Sequence, residues 1–255
     1  GHDGPDGVVP DLAPGPAAQG SFRSAARGTE VGWAISRPPG SRAGARLSVA
    51  IVLHGRGADH ASAFSASYLG LDRFLAAAVG DGVAPFALAS VDGGDAYWHD
   101  RADGDRCQTM VLEEFLPLLA RQGLDTDRIA LLGWSMGGYG ALHLAGVLGA
   151  DRVPGVAALS PALWHTFAAS APGAFDDADD FTRSTVLGRQ PELDGVAVRI
   201  DCGDGDPFHD TVRDYVAGFA TPPAGGLELG DHDLGYWRRM APAALRHVGD
   251  ALAGR

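Results

Sequence analysis

Arg128-Ile129-Ala130-Leu131-Leu132-Gly133-Trp134-Ser135-Met136-Gly137-Gly138-Tyr139-Gly140-Ala141-Leu142-His143-Leu144-Ala145 passes from an apolar run into a small-residue segment, and the residues at the change read G-x-S-x-G. An apolar run of strand length, a glycine-flanked serine and a series of helix formers imply strand, tight turn, helix. At such a junction the serine sits on a strained turn and its hydroxyl projects past the strand end, the arrangement of a nucleophile elbow. Sterics call for glycine at 133 and 137, because a side chain at either position would collide with the neighbouring strand or helix. In a chain with 37 glycines among 255 residues the five-residue pattern arises easily by chance, so the flanking elements and the residues downstream carry the reading.

Outward from the elbow, residues 47–53 form an apolar strand ending in His54-Gly55-Arg56-Gly57, a glycine-rich loop at a strand C-terminus. Residues 86–91 form the next strand, followed by the aromatic loop 92–100. Strands are also expected at 156–161, 196–202 and, briefly, 227–229. Apolar residues at helical spacing over 110–121 predict a helix packed on the sheet, and a terminal helix is expected over 236–252. Residues 21–36 alternate about the turn Arg27-Gly28-Thr29-Glu30 and predict an opening antiparallel hairpin. This alternation of strands and helices favours an α/β fold with a mostly parallel central sheet and helices on both faces. Residues 21–255 read as a single domain, preceded by an irregular Pro, Gly and Ala-rich segment over residues 1–20.

Charge narrows the partners. The formal charge is −12 and all 20 basic residues are arginine, so the overall field repels phosphate backbones and anionic headgroups. Nucleic acid and acidic membrane surfaces are therefore not expected partners, and no apolar stretch approaches the ~20 residues a transmembrane helix requires. The start Gly1-His2 reads as a remnant of cloning, and the segment after it suits a chain that follows a removed export signal. Cys107 and Cys202 are too few for a disulfide framework and are not spaced as a zinc site, so free thiols are expected over a bridge. Asp176-Asp177-Ala178-Asp179-Asp180 lacks the glycine and closing glutamate of a calcium loop and reads as a solvated helix start, so no metal site is expected.

Acyl transfer through a serine needs a hydroxyl, an imidazole to take its proton and a carboxylate to fix the imidazole tautomer. The nucleophile-elbow order along the chain is serine, acid, histidine. Downstream of the elbow helix lie His165, His209, His232 and His247; His247 falls within the terminal helix and His209 at a helix start. His232 stands in a loop directly after the final strand, where a base descends over the serine. For the acid, Asp204 and Asp206 share one loop and Asp210 lies beyond it. Asp206 is favoured because Asp206-Pro207 ends the turn rigidly and carries the carboxylate one step further toward the serine. The chemistry calls for no metal or organic cofactor.

These segments, GWSMGGYGAL, HGRG, CGDGDPF and GDHDLGYW in this order, resemble the α/β-hydrolase branch that contains esterase D, S-formylglutathione hydrolase and the mycolyltransferases. The resemblance spans roughly residues 45–255. It implies a carboxylic-ester hydrolase with Ser135 as nucleophile, Asp206 as acid and His232 as base, the backbone N–H groups of Arg56 and Met136 forming the oxyanion hole. Its alternatives are an acyltransferase using a sugar or other alcohol, or an inactive binding protein. The expected partner is a small-molecule, lipid or sugar ester. Arg56 replaces the apolar residue expected after His-Gly in those relatives, and the cysteine-rich segment of S-formylglutathione hydrolases has no counterpart here. His54, Trp98, His99, Trp164 and Phe208, at or near the expected strand ends, are candidates for the pocket wall.

Overall fold

The opening hairpin pairs β1 (Ala17–Ser24) with β2 (Thr29–Ser36), and its first strand begins at Ala17 rather than Ser21. The shift comes from pairing: Ala17, Ala18, Gln19 and Gly20 lie opposite Ser36, Ile35, Ala34 and Trp33 of β2. The computed structural model describes residues 4–42 and 44–255, so the remnant reading of Gly1-His2 falls outside the described residues. The irregular segment before β1 lies along the domain: Gly7 N–H donates to the Gly235 carbonyl at 2.8 Å, and Val9 fills the space above Gly70.

Beyond the hairpin, β3 (Ser48–Leu53), β4 (Ala87–Val91), β5 (Asp125–Trp134), β6 (Gly155–Leu159), β7 (Ala197–Gly203) and β8 (Ala224–Glu228) run parallel. The sheet order is β1-β2-β4-β3-β5-β6-β7-β8, with β2 joining β4 antiparallel. The last strand includes Ala224-Gly225-Gly226 and stops at Glu228, leaving Leu229 exposed beyond it. Pairing with β7 supplies the order that glycine-rich residues do not favour by themselves.

Both faces of the sheet are covered, which is why its central strands read as near-continuous apolar runs. In β5, Ile129 and Leu131 face one core, and Ala130, Leu132 and Trp134 face the other, as the period of two requires. The first core holds α2 (Cys107–Thr109), a π-helical turn (Met110–Phe115), α3 (Leu116–Arg121) and α4 (Met136–Leu148), with α5 (Ala178–Ser184) and α6 (His209–Ala217) further along. The second holds α1 (Leu71–Gly80) and α7 (Leu234–Leu252). The segment Asp176–Asp180, read as a helix start, opens α5, where the Asp177 side chain accepts the Asp180 N–H at 2.8 Å.

Parallel strands present all their C-terminal ends along one rim, so the loops after β3, β5, β7 and β8 meet there. Backbone proximity is greatest at the elbow. A Cβ on Gly137 would lie 1.9 Å from the Leu53 carbonyl oxygen at the end of β3, and one on Gly133 would lie 1.9 Å from the Gly137 carbonyl oxygen. Both obstacles are backbone of buried elements, which cannot move aside without breaking the sheet. Gly137→Ala is therefore expected to destabilise the fold by at least about 2 kcal/mol, lowering the thermal midpoint by more than about 5 °C in a melt followed by circular dichroism.

Candidate active site

Ser135 sits between the last residue of β5 and the first of α4 with φ 56° and ψ −119°, a backbone conformation that disfavours any side chain. Surrounding hydrogen bonds hold it there. Ser135 N–H donates to the Leu159 carbonyl at 2.9 Å, and its own carbonyl accepts from Gly138 at 2.9 Å and Ala162 at 3.0 Å. The strain, about 1–3 kcal/mol for such a residue, is met by contacts from β6 and α4. It leaves the hydroxyl half-exposed above the rim.

His232 comes to the serine from the loop after β8. Its Nε2 lies 2.8 Å from Ser135 Oγ and its Nδ1 lies 2.7 Å from Asp206 Oδ2. Two loops are stapled to bring this about: Asp204 N–H donates to the Glu228 carbonyl at 2.8 Å, and Gly205 N–H to that of Gly230 at 2.9 Å. Asp233 then starts α7 by accepting the Tyr236 N–H at 2.9 Å, so the helix begins at Leu234, two residues past the histidine. The Asp206 carboxylate is fully buried, with Oδ1 accepting the Phe208 N–H at 2.8 Å. Asp204 instead accepts the Gly230 N–H at 3.3 Å, and Asp210 pairs on the surface with His209 and Arg213. An imidazole held between a carboxylate and a hydroxyl can accept the hydroxyl proton while its charge is balanced.

The loop after β3 passes directly beside this hydroxyl, since a Cβ on Gly55 would lie 3.4 Å from Ser135 Cβ. Arg56 follows with an exposed side chain, and the Met136 N–H is at the first turn of α4, where helical N–H groups have no intrahelical partner. His54 was expected at the pocket wall and is instead fully buried. Its Nδ1–H donates to the Gly55 carbonyl at 2.7 Å and its Nε2 accepts the Gly93 N–H at 2.9 Å, which fixes a neutral tautomer. Burial also drives its pKa down. Trp98, another expected wall residue, is likewise buried, with its indole N–H donating to the His54 carbonyl at 3.2 Å. Both side chains therefore support the loop from beneath.

His99 is the third correction to the expected wall. It is 2% exposed, with Nδ1 against the Tyr97 carbonyl at 2.8 Å and Nε2 against Asp180 Oδ2 at 2.9 Å. Asp180 is itself buried, in contrast to the solvated helix start expected for its segment. Asp177 retains that role through its cap. Trp164 and Phe208 are half-buried, with rings 5.3 Å apart, and Phe208 stands 5.5 Å from the His232 ring. Sequence reasoning missed Trp237, whose ring meets His232 edge-on at 5.1 Å. Its place one turn into the helix after His232 was the available signal.

Both cysteines are free and buried, and burial raises both thiols, Cys107 to about 12, so neither is a ready nucleophile. Among the described residues no group of three His, Cys, Asp or Glu side chains is arranged to hold a metal ion. Burial alone would push the Asp180 carboxyl up, but the Asp176 N–H and His99 outweigh it, so its pKa lies below the ordinary value. A carboxyl depressed by native contacts stabilises the fold above its unfolded pKa and loses that contribution as pH falls through the native one. Urea unfolding of Asp180→Asn should show a loss of about 3 kcal/mol near neutrality. The difference from wild type should shrink below about pH 4.

Comparison with known proteins adds to this geometry. A family model described as "Putative esterase" matches residues 24–247 of the chain. No curated protein sequence matches it. Among solved structures, a ferulic acid esterase superposes with a TM-score of 0.79 at 20% identity, covering 92% of this chain and 98% of the other. FphF, a fluorophosphonate-binding serine hydrolase of Staphylococcus aureus, gives 0.70 at 18% identity, covering 93% and 99%. An S-formylglutathione hydrolase from Agrobacterium tumefaciens gives 0.69 at 17% identity, covering 92% and 95%. The sheet order and these superpositions define an α/β-hydrolase fold.

Proposed function

The chain belongs to the Esterase family and is a carboxylic-ester hydrolase, and we propose that it works through a Ser135–His232–Asp206 triad and an acyl-enzyme on Ser135. The observation that carries this reading is the unbroken relay from Ser135 Oγ through the His232 ring to Asp206, at 2.8 and 2.7 Å, on a serine with φ 56°. His232 Nε2 takes the Ser135 proton as the oxygen attacks the ester carbonyl. The Nδ1–H bond to Asp206 keeps the other nitrogen free for that role and balances the imidazolium that forms.

Negative charge gathers on the carbonyl oxygen of the tetrahedral intermediate, next to the N–H groups of Arg56 and Met136. Donors fixed in advance by the β3 loop and by the α4 terminus stabilise it without reorganisation at the moment of reaction. The imidazolium returns its proton to the departing alkoxide, leaving the acyl group on Ser135. Water enters by the same route, His232 takes its proton, and collapse of the second intermediate releases the acid and restores the hydroxyl. Ring faces at Trp164 and Phe208 beside His232 suit a flat acyl group. Ferulic acid esterases among the structural neighbours act on substrates of that shape.

Ser135→Ala is expected to lower kcat for p-nitrophenyl acetate by about 10⁴-fold or more and to abolish labelling by a fluorophosphonate probe. Asp206→Asn should lower kcat by a similar order, because the amide disturbs the imidazole tautomer. Turnover of Ser135→Ala within tenfold of wild type, with circular dichroism unchanged, would reject the proposed nucleophile.

A further inference from the structure

Arg56 presents two different groups to the rim. Its peptide N–H belongs to the loop beside Ser135, whereas its side chain is exposed and lies beside the Tyr97 hydroxyl. Tyr97 is held firmly, being 4% exposed with φ 54°, and His99 Nδ1–H donates to its carbonyl at 2.8 Å. The Tyr97 ring stands 5.7 Å from Trp164, Trp164 stands 5.3 Å from Phe208, and Phe208 stands 5.5 Å from His232. A continuous row of rings thus runs from the Arg56 guanidinium to the catalytic imidazole. Ser135 lies between its two ends, against the β3 loop on one side and His232 on the other.

The guanidinium at the far end of this row has donors to spare. Arginine–carboxylate pairs among the described residues lie elsewhere, as at Arg27–Asp105, Arg101–Asp176 and Arg199–Asp201, and Arg56 is in none of them. Asp95, in the loop after β4, has Oδ1 engaged by the Gly57 N–H at 2.9 Å, and Asp59, three residues beyond Arg56, has Oδ1 engaged by the Ala61 N–H at 2.9 Å. A guanidinium carries five N–H donors, and its planar fork matches a carboxylate bidentately. A chain of net charge −12 repels anionic substrates at long range. A local cation one side chain away from the reacting carbonyl reverses that preference at short range.

We propose that Arg56 is a specificity-determining residue whose guanidinium receives a carboxylate at the far end of the acyl chain, so that half-esters of dicarboxylic acids are preferred substrates. The inference rests on the esterase reading above. Tyr97 orients the fork, and the aromatic row covers the methylenes between the two carbonyl carbons. Because the Arg56 backbone also takes part in catalysis, the informative quantity is a ratio of two substrates, from which a shared change in the loop cancels.

Monomethyl adipate and methyl hexanoate differ in a terminal carboxylate, and the hydrolysis of each can be followed by pH-stat titration at pH 7 with wild type, Arg56→Gln, Arg56→Lys and Arg56→Glu. The kcat/KM ratio of adipate to hexanoate is expected to fall about tenfold or more in Arg56→Gln, the effect of losing one charge-assisted contact. It should fall further in Arg56→Glu and recover in part in Arg56→Lys. Added salt should compress the wild-type ratio and leave that of Arg56→Gln unchanged. A ratio that stays within twofold across the variants, while Ser135→Ala abolishes turnover of both esters, overturns the role of Arg56 and leaves the esterase reading intact. Failure of wild type to hydrolyse either ester, or any p-nitrophenyl ester, overturns both.

Discussion

The backbone of Gly137 passes so close to the end of β3 that no side chain fits between them, and the active-site geometry follows from that contact. A Cβ there would meet the Leu53 and His54 carbonyl oxygens at 1.9 and 2.7 Å. The approach lets α4 start immediately after β5, which forces Ser135 into its φ of 56° and turns its hydroxyl out over the rim. It also aligns the first N–H groups of α4 with the loop that carries Gly55 and Arg56. The local strain is sustained by bonds to Leu159 at the end of β6 and from Ala162 in the loop after it, so Ser135 depends on the neighbouring strand for its conformation.

A second layer of polar contacts steadies the other side of the site. His54, Trp98, His99 and Asp180 are all buried, and together they tie the β3 loop to the loop after β4 and to the start of α5. Tyr97 and Trp98 have φ values of 54° and 53°, conformations that persist only where neighbours over-determine them. Here the neighbours are the His99 and Asp180 side chains below and the His54 carbonyl beside them. Buried polar groups that find all their partners confer rigidity. A rigid β3 loop is what a preorganised oxyanion site requires.

Function divides along the same lines. In the proposed mechanism Ser135, His232 and Asp206 carry the proton relay, and their separations are set by backbone staples between the β7 and β8 loops. In the same proposal the half-buried rings of Trp164 and Phe208 read substrate shape, and Arg56 contributes charge at the far end of the row. The proposed relay thus rests on side chains fixed by hydrogen bonds to one another, with Asp206 buried beneath them, and the proposed selectivity rests on groups that solvent still reaches.

The sequence by itself determined the order of the strands, the helices after the elbow and at the C-terminus, and the elbow at Gly133–Gly137, because each leaves a local mark: apolar runs, helical spacing and close-packed glycines. It did not separate wall from scaffold. His54, Trp98 and His99 stand at strand ends like any pocket residue, and their burial goes with partners distant in sequence, Gly93 for His54, His54 for Trp98 and Asp180 for His99. The strand over residues 17–20 and the burial of Asp180 were hidden for the same reason, since composition points to loop or solvent while pairing with β2 or His99 decides otherwise. Only the tertiary structure decided between Asp204 and Asp206 as the partner of His232, because both lie in one turn and the difference is which carboxylate the stapled β8 loop brings within 2.7 Å of the imidazole.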